Sequence, residues 1–176
     1  FPTRRSSDLE ALEKIIPVDK KPSEISVSIG ASFIPAETYE KFIQHITGGS
    51  ARLAYLKSTG QWMVEYVGAP DMTLNAGTFG TSHLSARELF SLSMLGRGAV
   101  VKKILRNPDG STTTIVLEKE TEAAREKHNA IKNEWQKWIW NDAERADQVA
   151  AIYNEKMNRI VERKFDGDHM TFPGMN

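Results

Sequence analysis

The side chains able to do chemistry are scattered along this chain. Its histidines, His45, His83, His128 and His169, have no second histidine or carboxylate at metal-site spacing. Cysteine is absent, which removes thiolate ligands, thiol nucleophiles and disulfides together. The run FDGDH (Phe165–His169) begins with the acidic spacing of a calcium loop but lacks the later ligands and the closing glutamate. Phosphate chemistry driven by nucleotides needs a glycine-rich cradle, and no G-x-x-x-x-G-K-[ST] occurs. GRGAVVKK (Gly96–Lys103) has neither that spacing nor the hydroxyl for magnesium, and its G-x-G follows an expected helix instead of a strand. Methyl transfer to an exocyclic base amine uses an Asn or Asp, two prolines and an aromatic. Asn107-Pro108-Asp109-Gly110 starts that way, then supplies neither the second proline nor the aromatic, and reads as a type I turn closing a hairpin. Spacing alone does not exclude a Ser/His/Asp triad, but no G-x-S-x-G elbow is present. The residues therefore give no expectation of a catalytic, metal or cofactor site in this chain.

Two basic clusters remain. Arg97, Lys102, Lys103 and Arg106 run from a helix end into a strand, on which Lys102 and Lys103 must point to opposite faces. Arg159, Arg163 and Lys164 lie beside Phe165. Either cluster can meet phosphates, and either can be a solvated face. Any charge effect must be local, because Lys+Arg and Asp+Glu are both 23 and no global field draws in nucleic acid or membrane. Nothing approaches the roughly 18 consecutive apolar residues of a membrane span. The lack of cysteine fits a reducing cytoplasm. At 176 residues the chain suggests one domain, or one plus an appendage, able to bury about 70% of its unfolded surface without staples.

The elements that would carry these residues read as α+β, a small antiparallel sheet of hairpins with helices, then a helical hairpin and an extended tail. ISVSIGASFI (Ile25–Ile34) alternates with period two and predicts a strand breaking at Gly30. Pro35 opens a helix with Tyr39, Phe42, Ile43 and Ile46 on one face, stopped by Gly48-Gly49. Leu53 and Tyr55, then Trp62, Val64 and Tyr66, alternate around Ser58-Thr59-Gly60 and predict a hairpin. Residues 68–84 read as loop. Ser85 with Glu88 makes a capping box for a helix carrying Leu89, Phe90, Leu92 and Leu95, which Gly96 and Gly98 end. AVVKKIL and STTTIVLE form a second hairpin across the Asn-Pro-Asp-Gly turn. TEAAREKHNAIKNEWQKWIW (Thr121–Trp140) is amphipathic, with Ile131, Trp135, Trp138 and Ile139 on one face. Asp142 then caps a helix whose apolar face holds Val149, Ile152, Tyr153 and Ile160. The last sixteen residues show neither period and are expected to be extended.

The opening FPTRRSSDL has no hydrophobic period and lacks the apolar run of a signal peptide. It matches, residue for residue, the translation of a widely used short-read sequencing adapter. Residues 1–9 are therefore expected to lie outside the fold, and the remainder to be a piece of a longer protein. Boundaries are expected at 10–118 for an α+β accessory domain, 119–161 for the helical hairpin and 162–176 for the tail.

The stretch WIWNDAERADQVAAIYNEKMNRIVERKFDGDHMTFPGMN (Trp138–Asn176) resembles a segment of very large phage-, plasmid- and conjugative-element-borne proteins. Those proteins join an adenine-specific DNA methylase to a Swi/Snf-like superfamily II helicase, and the segment lies just before the helicase core. The resemblance rests on Trp138, Ile139, Trp140, Arg145, Tyr153, Asn154, Asn158, Asp166, Gly167, His169, Pro173, Gly174 and Met175. ISVSIGASFIPAETYEKFI, FGTSHLSARELF and LEKETEAAREK resemble earlier family elements less specifically. Asp168 stands where serine is expected, Met157 replaces an aromatic, and LGRG replaces a Leu-Asn element. The acidic Asp168 weakens direct contact of the tail with phosphate.

The resemblance implies an accessory region coupling methylase to helicase, with neither engine aboard. It implies DNA as a partner through the parent, intramolecular contacts to the helicase and methylase domains, and ATP, Mg and S-adenosylmethionine as cofactors of the parent alone. Candidate nucleic-acid contacts are Lys102, Lys103, Arg106, Arg159, Arg163, Lys164 and His169; candidate interface residues are Trp135, Trp138, Trp140 and Tyr153. Rival readings are a free-standing DNA-binding module, or a protein-interaction domain presenting the W-I-W helix as an apolar stripe.

Overall fold

The computed structural model describes residues 17–160. The fold is α+β, with two antiparallel two-stranded sheets and a helical framework. The helices are α1 (Ala36–Thr47), α2 (Ala86–Met94), α3 (Glu118–Trp140) and α4 (Ala143–Tyr153). The first sheet pairs β1 (Ser50–Leu56) with β2 (Gln61–Val67), and the second pairs β3 (Lys102–Arg106) with β4 (Thr112–Val116). The adapter-like residues, and the tail expected to be extended, lie outside the described residues.

Residues 25–34 depart from expectation. The alternation is real: Ile25 and Val27 are buried while Ser26 and Ser28 are exposed. Yet among the described residues no strand pairs with this segment. A period of two reports one buried face and says nothing of what satisfies the backbone. Here side chains do that work. The indole N–H of Trp135 donates to the Val27 carbonyl at 2.8 Å, and Gln136 Nε2 donates to the same oxygen at 2.6 Å. Trp62 Nε1 donates to the Gly30 carbonyl at 3.0 Å. The Tyr39 hydroxyl accepts from the Gly30 N–H at 3.0 Å and donates to the Ala31 carbonyl at 3.1 Å. Gly30 sits at φ 95°, and a Cβ there would lie 2.9 Å from the Met94 carbonyl oxygen, so only glycine fits without displacement.

The core grows from these anchors. Tyr39, Phe42, Ile43 and Ile46 of α1 are fully buried, and α1 ends at Gly48 as its sequence predicts. Trp135 stacks on Tyr39 with ring centroids 5.0 Å apart and meets Phe42 edge-on at the same distance. Trp62 packs edge-on against Tyr39 at 5.2 Å, joining β2 to the cluster. The β1–β2 register puts Tyr55 opposite Trp62 and Leu53 opposite Val64. On the other side of β1, the Leu53 N–H donates to Glu40 Oε1 of α1 at 2.9 Å, so the helix occupies an otherwise open sheet edge.

The capping box at α2 forms as its residues predict, with Ser85 N–H on Glu88 Oε2 at 2.8 Å and the Glu88 N–H on Ser85 Oγ at 3.4 Å. At its other end Arg97 N–H reaches the Leu92 carbonyl and Gly96 N–H the Ser93 carbonyl, a Schellman closure with Gly96 at φ 65°. Leu95, expected on the apolar face, is exposed, while Ser93 is buried in its stead. Within the expected loop, Thr73–Thr78 forms a wide helical turn of the i→i+5 kind, with Asn75 buried.

Helix α3 carries Ala124, Ile131, Trp135 and Ile139 into the same core as α1 and α2, across the sequence boundary expected at residue 118. Asp142 caps α4 by accepting from the Arg145 N–H at 2.8 Å. α4 is shorter than expected: it ends at Tyr153 and runs into a wide turn, Asn154–Asn158. Ile160, expected on its apolar face, is exposed, and Ala146 and Ala150 supply burial next to Val149. No helix among the described residues is long and apolar enough to cross a membrane.

The clamp on Val27 gives a direct test. Trp135→Phe keeps an aromatic ring against Tyr39 but removes one of the two donors to Val27. It should lower unfolding free energy by about 1–3 kcal/mol, read as a lower urea midpoint at unchanged slope.

Candidate functional site

Strands β3 and β4 stand apart from the core, since all five residues of each are exposed. Their root is fixed where Ala99 and Val101 are buried against the start of α3. Val101 N–H donates to Thr121 Oγ1 at 3.0 Å, the Leu117 N–H donates to the Val101 carbonyl at 3.0 Å, and Arg125 Nε donates to the Ala99 carbonyl at 3.3 Å. The tip is held by its own polar groups. Gly110 N–H closes on the Asn107 carbonyl at 3.0 Å, and Asn107 Nδ2 donates to Ser111 Oγ and Thr113 Oγ1. Asp109 accepts from the Ser111 N–H and hydroxyl, which holds its carboxyl below the usual range.

Register decides what each side of this ribbon offers. Lys102, Ile104 and Arg106 face their partners Val116, Thr114 and Thr112 on one side; Lys103 and Leu105 face Ile115 and Thr113 on the other. Lys102 and Lys103 are thus on opposite sides, and Lys102 shares its side with Arg106. Neither strand contains a carboxylate. Beneath the root an apolar groove of about 800 Å³ runs past Tyr66, Leu92, Leu95 and Val100 to Lys102. The Tyr66 hydroxyl there is tied to the Arg87 carbonyl and to Ser91, and burial pushes its pKa up to about 12.

The other candidates scatter. Arg159 is exposed at the far end of α4's continuation, and Arg163, Lys164 and His169 lie outside the described residues. Trp135 is corrected from an interface residue to a core residue: it is 0% exposed, and its indole N–H is spent on Val27. Trp138 and Trp140 are half-buried. The Arg145 guanidinium covers Trp138 at 3.7 Å from the ring centroid and donates to the Trp138 and Ile139 carbonyls. No exposed tryptophan stripe results. Tyr153 is half-buried, edge-on to Phe33 at 5.8 Å, with the Lys20 ammonium 5.7 Å from its ring.

Asn154 and Asn158 prove to be fasteners. The buried Asn154 amide binds both backbone groups of Lys20, accepting its N–H at 2.8 Å and donating to its carbonyl at 2.9 Å. Asn158 Nδ2 donates to the Val18 carbonyl at 2.9 Å. The spacing of four puts the two amides along one side of the turn, where together they strap residues 18–20 to the end of α4. Trypsin should cut between Lys20 and Lys21 at least several-fold faster in Asn154→Ala than in the wild type, because local opening then exposes that bond.

One buried pair escaped sequence reading. Ser93 Oγ donates to the Leu89 carbonyl at 3.1 Å and lies 2.6 Å from His128 Nε2, joining α2 to α3 across thirty-five positions. No local spacing signals such a pair. Both residues are buried, and burial first, then the nearby Lys132 charge, lowers the pKa of His128. The unfolded chain therefore takes up a proton near pH 6.5 that the folded chain refuses. Stability present above that pH should be lost as pH falls below it. Thermal unfolding from pH 7.5 to 5 should show this decline, and His128→Gln, which retains a donor for Ser93, should flatten it.

Among the described residues no group of three or more His, Asp or Glu side chains is placed to hold a metal ion. No curated protein and no solved structure matches the chain. A family model described as a domain of unknown function, DUF8437, matches residues 28–159, from the clamped extended segment through β3–β4 to the end of the Asn154–Asn158 turn. With the match spanning the core from residue 28 onward and the exposed ribbon, the chain belongs to the DUF8437 family.

Proposed function

We propose that this chain is a non-catalytic accessory module that contacts nucleic acid through the β3–β4 ribbon. The observation that carries the reading is that the ribbon is exposed on both sides and holds Lys102, Lys103 and Arg106 with no carboxylate in either strand. A two-stranded ribbon alone is marginally stable, so ten exposed residues held out from the core ask for a role outside it. The major groove of B-DNA, about 12 Å wide, admits such a ribbon. Lys102 and Arg106 would then meet phosphates, with Thr112 and Thr114 beside them on the same side.

The resemblance to methylase–helicase proteins supports the wider setting. In such a parent the module would couple the methylase half to the helicase motor and help position DNA, while ATP, Mg and S-adenosylmethionine serve the neighbouring domains. A cytoplasmic location follows from that setting.

A second reading has its own support. Ile104 and Val116 lie on the Lys102 side and are 68% and 51% exposed, which suits a protein partner of the same ribbon, such as a neighbouring domain.

Binding of fluorescein-labelled duplex DNA, followed by anisotropy across salt concentrations, separates these. Lys102→Gln/Arg106→Gln should weaken binding and reduce the log–log salt slope by about 0.9 for each phosphate that is no longer neutralised. Ile104→Ser should leave DNA binding intact and weaken a protein partner instead. DNA-dependent ATP hydrolysis by this chain alone would show that it is more than an accessory module.

A further inference from the structure

A second concave site, which adjoins the groove under the ribbon at Gly98, lies between the extended segment at Ser28-Ile29, the Schellman turn that ends α2, and α3 at residues 132–136. It is a cleft of about 440 Å³ lined by Ser28, Ser93, Arg97, Lys132, Asn133 and Gln136. We infer that this cleft binds a phosphate group through Arg97 and Lys132, with the Ser28 hydroxyl and the Asn133 carboxamide beside them completing the coordination.

No aspartate or glutamate among the described residues lines the cleft. Among the described residues the ion pair formed is His45 with Glu134, and neither Arg97 nor Lys132 has a side-chain partner. Two cations sharing a concavity without a counter-ion hold a positive potential that low-dielectric walls concentrate.

The walls suit an oxyanion more than a second apolar ligand. The Schellman bonds occupy the Leu92 and Ser93 carbonyls, so the α2 end does not present those acceptors to the anion. Gln136 Nε2 and the Trp135 N–H occupy the Val27 carbonyl in the same way. Ser93 Oγ on the buried floor is already spent, its proton given to the Leu89 carbonyl and its oxygen facing His128 Nε2, so it offers the anion no donor. Lys132 follows His128 by one turn of α3, and its charge helps to lower the pKa of that histidine. Arg97 brings a planar fork matched to phosphate oxygens, and Lys132 a mobile point charge. The phosphate could come from a nucleic-acid strand or from a free nucleotide; the recognising chemistry is the same.

The test is a titration of the ¹⁵N-labelled full chain, followed by NMR at the Arg97, Asn133 and Gln136 signals, with inorganic phosphate, AMP, and a short oligonucleotide with and without a 5′-phosphate. Saturable shifts at these signals are expected for phosphate. A gain for the 5′-phosphorylated strand over AMP assigns the source to nucleic acid, and the reverse assigns it to a nucleotide. Arg97→Gln/Lys132→Gln should weaken binding by about tenfold or more per cation removed. Both side chains are exposed, so the fold should survive, which unchanged signals from the Tyr39–Trp135 core would verify. Lys102→Gln/Arg106→Gln should leave the cleft's response untouched, which separates this site from the ribbon. Absence of saturable shifts through about 10 mM phosphate, or an equal response in the Arg97/Lys132 variant, would overturn the inference.

Discussion

The fold depends on how an extended segment with no strand partner has its backbone satisfied. Buried carbonyls and N–H groups left unpaired cost free energy comparable to a lost hydrogen bond, so the backbone at Val27, Gly30 and Ala31 cannot pack against the core unless something replaces a ladder. Trp135, Gln136, Trp62 and Tyr39 supply that replacement from three different elements. Each of the three aromatic residues does two jobs, filling the core with its ring and fastening the segment with its polar atom. The arrangement ties α1, β2 and α3 to one strip of backbone, so the core forms around that strip.

The same economy recurs at the periphery. Asn154 holds Lys20, Asn158 holds Val18, and Arg145 holds the carbonyls that end α3 while covering the Trp138 ring. Side chain to backbone bonds over long sequence separations thus close the molecule where regular sheet would otherwise do so. Of the residues behind the resemblance, Arg145, Asn154 and Asn158 thus serve as fasteners in this chain, while Trp138 and Trp140 are half-buried. Against this tightly fastened body the β3–β4 ribbon is the exception. Among the described residues it is fastened at its root and at its turn and nowhere between. An element so placed contributes little to the stability of the body and keeps its cations available.

Local pattern alone determined a good deal of this protein. The apolar face of α1, the Ser85–Glu88 box, the Asp142 cap, both hairpins and the opposite orientation of Lys102 and Lys103 all follow from neighbouring residues. Periodicity, caps and turns are short-range rules, and within a few residues the backbone has few alternatives. Three things were decided only by the tertiary structure. Residues 25–34 became a clamped strip instead of a strand, because a period of two does not name the partner. Trp135 went to the centre and Trp138 only half-way, although both lie on the face of one helix and both meet Phe42 of α1, because Trp135 also stacks on Tyr39 while Trp138 packs beside the exposed His45 under Arg145. Arg97 and Lys132 came to share a cleft, and Ser93 met His128, across distances in sequence that no spacing rule spans. Contacts of that kind exist only once the chain has closed on itself, and closing it is the work of the clamped strip.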